Sequence, residues 1–142
     1  MGQRGFTLLE LLVVLAIMAL ATAGVSLALR DDGSLLLQRE GERLAVQLDA
    51  ARAQARAGGW ALRWRALDGG FAFDGMPGAT GQRQPWLDAA TGLRPGSSAS
   101  LWLGPEPLIG AQQVVLVNRS HPGHAVSVAS DGLRPFAVQA LP

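Results

Sequence analysis

The chain is short, mildly apolar and close to electrically neutral. It has 142 residues, of which 49% are hydrophobic, and a formal net charge of +1. This length leaves room for one small domain beyond any membrane segment. The sequence contains no cysteine, which excludes disulfide staples and thiol chemistry. The balanced charge indicates no particular class of partner.

A long apolar run near the front predicts a membrane-spanning helix. The run extends from Phe6 to Leu29, and Glu10 is its only ionisable residue. Leu11–Leu29 comprises 19 uncharged residues, which as a helix at about 1.5 Å per residue span close to the ~30 Å hydrocarbon core. A carboxylate in such a stretch costs roughly 2.5–3.5 kcal/mol, so Glu10 is a candidate functional residue.

The residues that flank this run favour a cytoplasmic N-terminus. Arg4 precedes the run, whereas Asp31 and Asp32 follow it, which predicts an exported C-terminal domain. A removable secretory signal peptide, with a mature chain that starts at Gly24, is the competing interpretation. Against that interpretation, the apolar run continues to Leu29 and contains an acid near its start.

The residues around Glu10 resemble the processing motif of type IV pilins and type II secretion pseudopilins. A short basic leader precedes Gly5-Phe6-Thr7-Leu8-Leu9-Glu10, and an apolar helix-forming segment follows. The resemblance implies that a prepilin peptidase cuts between Gly5 and Phe6 and methylates the new N-terminus of Phe6. It also implies that Glu10 pairs with the N-terminal amine of a neighbouring subunit when the helices pack into a filament. A buried carboxylate is tolerated when it gains such a partner.

A second helical stretch is predicted after the membrane run, with Ser34 as its N-cap and Gly58-Gly59 as its end. Its apolar face carries Leu37, Leu44, Leu48, Ala51 and Ala55, whereas Arg39, Glu42, Asp49 and Arg56 lie off that face. This spacing predicts an amphipathic helix that packs on a core. Together the two stretches predict one long helix with a membrane half and a domain half.

Short strands are predicted after the helix. They are Trp60–Leu67, Phe71–Phe73, Leu101–Leu103, Gln113–Val117, Val126–Ala129 and Pro135–Ala140. The segment Gly75–Ser100 is rich in Gly and Pro and is predicted to be a long loop anchored by Trp86-Leu87. A helix followed by antiparallel strands implies an α+β domain, in which a long N-terminal helix packs on a small antiparallel sheet domain of the type IV pilin-like kind.

Three shorter segments resemble the H-type minor pseudopilins, the GspH family. They are Ala51–Ala55 before the first strand, Trp86–Asp88, and Val128–Phe136 near the C-terminus. The family has a Ser-Gly turn near its C-terminus, whereas in this chain Asp131 stands between Ser130 and Gly132. The segment Gly75–Ser100 matches no motif of the family. The resemblance implies a non-enzymatic subunit of the type II secretion pseudopilus, which connects a tip complex of other minor pseudopilins to a shaft of major pseudopilin.

The resemblance also implies how the chain is organised. Residues 1–5 are the leader peptide, residues 6–29 the transmembrane and assembly helix, and residues 30–142 a periplasmic domain. The implied partners are the other minor pseudopilins, the major pseudopilin, the prepilin peptidase and the inner membrane, with no cofactor or metal. A minor pilin of a type IV pilus, which primes assembly or takes up DNA, is the alternative, because the two classes share the processing motif.

The only two histidines raise the question of an enzyme or a metal site. His121 and His124 stand two residues apart around Pro122-Gly123. Such a pair can ligate a metal, but no third ligand is evident and the Pro-Gly pair favours an exposed turn. No nucleophile elbow or phosphate-binding glycine loop occurs, so catalysis is not expected.

Arginines interleaved with tryptophans raise the question of nucleic-acid binding. Arg63 and Arg65 alternate with Trp60 and Trp64, a composition that suits base stacking with phosphate contacts. In a strand, however, the alternation places the tryptophans on one face and the arginines on the other. We therefore expect a solvated strand face and no nucleic-acid partner.

Overall fold

The computed structural model describes residues 6–78 and 81–141 of the chain. Gly5, on the leader side of the predicted cleavage, lies outside these residues. The chain separates into two compact units, Met1–Asp32 and Gly33–Pro142. An N-terminal apolar helical segment is followed by a further helical segment and two small antiparallel sheets. This is the α+β, pilin-like layout predicted from the sequence.

One long helix, α1, runs from Leu8 to Gly58. Leucine and alanine dominate its sequence, and it contains no proline. The prediction of one long helix is confirmed, whereas the N-cap predicted at Ser34 for its second stretch is wrong, because Ser34 lies inside α1. The neighbouring Gly33 does not end the helix, since a single interior glycine costs only about 1 kcal/mol relative to alanine.

The domain half of α1 buries the predicted apolar face. The residues of this face, all buried, are Leu37, Leu44, Leu48, Ala51 and Ala55. They pack with apolar residues of the strands in a single hydrophobic core. The helical spacing seen in the sequence is therefore confirmed as a core-facing stripe.

The end of α1 is set by glycine, as predicted. Gly59 adopts a left-handed backbone conformation with φ of 67°. The N–H of Trp60 donates to the carbonyl oxygen of Ala55 at 2.9 Å. This bond belongs to a Schellman-type helix terminus, so Trp60 completes the helix and does not start the first strand.

Eight strands follow in the described residues, and they form two sheets. They are β1 Leu62–Leu67, β2 Gly70–Asp74, β3 Arg83–Pro85, β4 Thr91–Leu93, β5 Ser100–Gly104, β6 Gln112–Asn118, β7 His121–Ser130 and β8 Ala137–Ala140. The sheets are antiparallel, with strand orders β3-β2-β1-β5 and β4-β6-β7-β8. The predicted hairpin is confirmed, since β1 pairs with β2 from Arg63 opposite Asp74 to Leu67 opposite Gly70.

The segment Gly75–Ser100 is not the structureless loop predicted from the sequence. It contains β3 and β4, and β3 pairs with β2 through Arg83 opposite Ala72 and Pro85 opposite Gly70. A strand of three residues is too short to show an alternating apolar pattern in the sequence. Such a strand is held in place by its pairing with other strands. Trp86 is buried and anchors the segment as predicted, whereas Leu87 is 54% exposed.

The turn near the histidines also differs from the prediction. The side-chain Oδ1 of Asn118 accepts hydrogen bonds from the N–H groups of Ser120 at 2.9 Å and His121 at 3.3 Å. The chain therefore turns before His121, and Pro122-Gly123 lies within β7. A register shift beside Asn118 accommodates these residues, which would otherwise interrupt the ladder.

Candidate assembly and processing site

The N-terminal motif forms the first turn of α1. The N–H of Glu10 donates to Thr7 Oγ1 at 3.3 Å and to the Thr7 carbonyl oxygen at 3.1 Å. Thr7 is thus the N-cap, and this bond is half of a capping box. The sequence analysis missed the cap, although a threonine followed three residues later by a glutamate is its known signal. Glu10 stands where the positive end of the helix dipole favours a carboxylate.

The apolar segment that follows this turn points its side chains outward. Leu8–Val25 has a mean hydropathy of 2.5, is long enough to cross a membrane, and has 0% of its residues buried in the fold. A core helix of a soluble protein would bury its apolar stripe. Phe6 and Glu10 are exposed as well. The segment is therefore available to contact lipid or other helices.

Residues 1–26 match the family model described as the prokaryotic N-terminal methylation motif. The chain carries a type IV pilin-like prepilin signal. Such a signal implies processing by a prepilin peptidase and assembly with other pilin-like subunits. The one N-terminal apolar helix found in the described residues fits a single-pass inner-membrane anchor of a prepilin-like protein. No curated protein and no solved structure matches the chain significantly.

The matched residues include the three sites predicted from the sequence. Gly5 and Phe6 flank the predicted cleavage, Phe6 is the predicted methylation site, and Glu10 is the predicted pairing residue. The motif match locates these residues in a prepilin signal. Their individual roles stay predictions.

The buried carboxylate of Glu40 connects α1 to the segment after β3. Glu40 is fully buried. Its Oε2 accepts from the N–H of Leu87 at 2.6 Å, and its Oε1 lies 3.1 Å from Nη1 of Arg43. Arg43 also donates to the carbonyl oxygen of Pro85 at 3.3 Å. Sequence analysis missed Glu40, although its position three residues after Leu37 places it on the apolar stripe.

A buried arginine occupies a second polar position on the stripe. Arg52, four residues after Leu48, is only 7% exposed. Its Nη2 donates to the carbonyl oxygens of Gly132 at 2.5 Å and Pro107 at 3.4 Å, which holds two loops against α1. Glu40 and Arg52 are recognisable in the sequence as charged residues at positions of the apolar helix face that otherwise carry core residues.

In the strand considered as a nucleic-acid platform, Trp64 and the two arginines lie on opposite faces as predicted, whereas Trp60 lies outside β1. Trp64 is fully buried, whereas Arg63 and Arg65 are exposed. Arg65 Nε lies 2.9 Å from Asp74 Oδ2, and this hydrogen bond lowers the pKa of the Asp74 carboxyl. The Arg63 guanidinium lies 5.7 Å from the ring centre of Trp102. Neither arginine therefore shares a face with Trp64.

The histidine pair lies at the start of β7. The rings of His121 and His124 stack with centroids 6.0 Å apart. In residues 6–78 and 81–141, no three His, Cys, Asp or Glu side chains come together as a metal-binding group. The pair therefore lacks the third protein ligand that zinc sites have.

Proposed function

We propose that the chain is a minor pseudopilin of the type II secretion pseudopilus, of the H type. The observation that carries this proposal is the prepilin-type signal at residues 1–26, which leads into an apolar helix with no buried residues between Leu8 and Val25. The Ala51–Ala55 and Val128–Phe136 resemblances support the subfamily. The proposed role is to connect a tip complex to the shaft during export of folded proteins across the outer membrane.

The proposed mechanism is assembly by helix transfer from the bilayer to the filament. Cleavage after Gly5 creates a methylated amine on Phe6. In the filament, the amine of one subunit neutralises the Glu10 carboxylate of its neighbour. A carboxylate at the centre of a membrane helix costs roughly 2.5–3.5 kcal/mol, which is an upper bound for Glu10 near the helix start, and charge pairing relieves this cost. An unpaired Glu10 therefore favours leaving the bilayer for the filament.

We propose partners and a location to match this mechanism. The partners are the other minor pseudopilins, the major pseudopilin and the prepilin peptidase, and neither nucleic acid nor an enzymatic substrate is among them. The chain spans the inner membrane once, with a cytoplasmic N-terminus and a periplasmic domain. The exposed apolar surface of Leu8–Val25 supports this arrangement.

Intact mass of the membrane-extracted protein tests processing. We expect the loss of Met1–Gly5 and the addition of one methyl group on Phe6. A mature chain that starts at Gly24 would establish the signal-peptide interpretation instead. Deletion of the prepilin peptidase gene is the matched control, and it should leave the leader in place.

Co-purification with the major subunit tests the role of Glu10. We expect Glu10→Ala to be made and inserted but to co-assemble at least tenfold less, because removal of one partner of a buried charge pair leaves the other charge unpaired, which costs about 3–5 kcal/mol. Glu42→Ala, which also removes a glutamate from α1, should co-assemble normally. Unchanged co-assembly of Glu10→Ala would refute the pairing role.

The partners captured in the same experiment distinguish the two machines. Recovery with type II secretion pseudopilins supports the proposal. Recovery only with type IV pilus subunits would assign the chain to the alternative, a minor pilin. Neighbouring genes for a secretin and further pseudopilins provide an independent test of the same choice.

A further inference from the structure

The domain contains a buried arginine with no carboxylate partner. Arg52 forms no ion pair within the described residues, and its Nε is buried without a hydrogen-bond acceptor. Only Nη2 donates, and both of its acceptors are backbone carbonyl oxygens, which do not neutralise the charge. Buried charges in proteins are normally paired, because desolvation penalises the isolated ion. Arg52 therefore has no ion-pair partner among the described residues and keeps an unused Nε donor.

A surface cavity lies over this arginine. The cavity has a volume of about 280 Å³, and its lining includes Arg52, Arg56 and Asp49. Arg56 is exposed, stands one helical turn after Arg52, and forms no ion pair within the described part of the chain. Asp49 uses its Oδ1 to accept from the N–H of Phe136 at 3.0 Å. Two arginines thus face a single aspartate that is already engaged.

The rim of the same cavity is apolar and unusually exposed. Leu108 and Leu133 line it and are 67% and 74% exposed. These exposed leucines and the buried arginine together form a surface patch that offers apolar contact area beside a cation. We name the site formed by Arg52, Arg56, Leu108 and Leu133 the Arg52 cavity.

We propose that the Arg52 cavity binds a glutamate or aspartate side chain on an extended apolar segment of a neighbouring pilin-like subunit. The carboxylate neutralises Arg52 and accepts hydrogen bonds from the guanidinium groups, whose planar geometry matches it. The apolar residues beside the acid pack on Leu108 and Leu133. A phosphate would satisfy the arginines equally but would leave the leucines uncovered, so the rim favours a peptide. The identity of the partner rests on the proposed function.

A titration of the full-length chain in detergent micelles tests binding directly. The probes are acetyl-Leu-Glu-Leu-amide, its Gln counterpart and inorganic phosphate, and the measurement is the NMR resonance of Arg52 Nε–H. We expect the Glu peptide to shift this resonance and the Gln peptide to bind at least tenfold more weakly, since hydrogen bonds to charged groups are the stronger class. No shift with the Glu peptide, or equal binding of both peptides, would overturn the proposal. Phosphate binding as tight as that of the Glu peptide would overturn the peptide assignment.

Exposed residues provide variants that do not disturb the core. Arg56→Glu should weaken binding of the Glu peptide at least tenfold. Arg39→Glu, which makes the same charge change at another exposed position of α1, should leave it unchanged. Equal effects of the two variants would mean that overall charge, and not the Arg52 cavity, governs binding.

Crosslinking in the native membrane separates this inference from the proposed function. A photo-reactive amino acid at Leu133 of the full-length chain should crosslink to a pilin-like subunit, and Arg56→Glu should abolish the crosslink. If the Glu10 and mass experiments succeed but the Glu peptide does not bind, the cavity assignment is wrong and the function stands. If the peptide binds but the crosslinked protein is not pilin-like, the partner assignment is wrong, and the Glu10 and mass experiments alone decide the proposed function.

Discussion

Replacement of Glu40 by glutamine probes the tie between α1 and the segment after β3. The variant keeps the side chain's size but removes the charge that accepts from Leu87 N–H at 2.6 Å and pairs with Arg43 at 3.1 Å. A hydrogen bond to a charged group contributes about 1.5–3 kcal/mol. The ion-pair contribution is discounted, because the Arg43 side chain is 27% exposed and water can solvate it. We expect Glu40→Gln to lower the free energy of unfolding by about 2–3 kcal/mol.

Urea unfolding of the full-length chain in detergent, followed by tryptophan fluorescence, measures this loss. Trp64 and Trp86 are both buried, so the change in tryptophan fluorescence reports unfolding of the domain. Glu42→Gln is the matched control, since Glu42 is exposed two residues away and should change stability by less than about 0.5 kcal/mol. If both variants unfold at the same urea concentration, the Glu40 contacts do not stabilise the domain and this reasoning is wrong.

Two further predictions concern turns. Gly132→Ala should destabilise the domain by about 3 kcal/mol or more, because an added Cβ would lie 1.8 Å from the carbonyl oxygen of Ile109 and the backbone φ is 89°. Gly96→Ala, with φ of 83° but open space around the added Cβ, should lose only about 1–2 kcal/mol, and equal losses would exclude the clash as the cause. Backbone hydrogen bonds from the N–H groups of Arg134 and Leu133 lower the pKa of Asp131 below its ordinary value of 3.8. The ionised carboxylate therefore stabilises the folded state above that pH, and this stabilisation is lost as the pH falls. In chemical unfolding at several pH values, Asp131→Asn should therefore have a lower free energy of unfolding than wild type at neutral pH, and this difference should shrink below about pH 4. A difference that grows below that pH would contradict the prediction.

The helix and the main strands could be predicted because their signals are local. The Leu37–Ala55 stripe has the helical period, and Leu62–Leu67 has the strand alternation that buries Trp64. Glu40 and Arg52 were missed because apolar patterning ignores charged residues at core positions. Whether such a residue is buried depends on partners remote in sequence, such as Leu87 for Glu40 and Gly132 for Arg52.

The misjudged segments depend on long-range pairing. β3 and β4 have three residues each, and their register comes from β2 and β6. The start of β7 contains Pro122-Gly123, which by local rules marks a turn. The Asn118 side chain instead forms a turn at Arg119-Ser120, three residues earlier, through its hydrogen bonds to the N–H groups of Ser120 and His121. A competing turn former nearby in the sequence thus outweighed the Pro-Gly signal.

The capped first turn of α1 bears on how strongly Glu10 can drive assembly. In the proposed function, insertion of the carboxylate into a bilayer costs at most about 2.5–3.5 kcal/mol, the value for a charge at the centre of a membrane helix. The helix begins directly after the Thr7 cap, three residues before Glu10, so the carboxylate lies within the first turn. There the helix dipole contributes about 0.3–1 kcal/mol, or ~2 kcal/mol in partly buried geometries. The cap therefore offsets part of the cost and leaves at most about 0.5–3 kcal/mol for a neighbour's amine to relieve. That remainder is small enough for the subunit to persist in the membrane, and it favours a filament position by about twofold to a hundredfold.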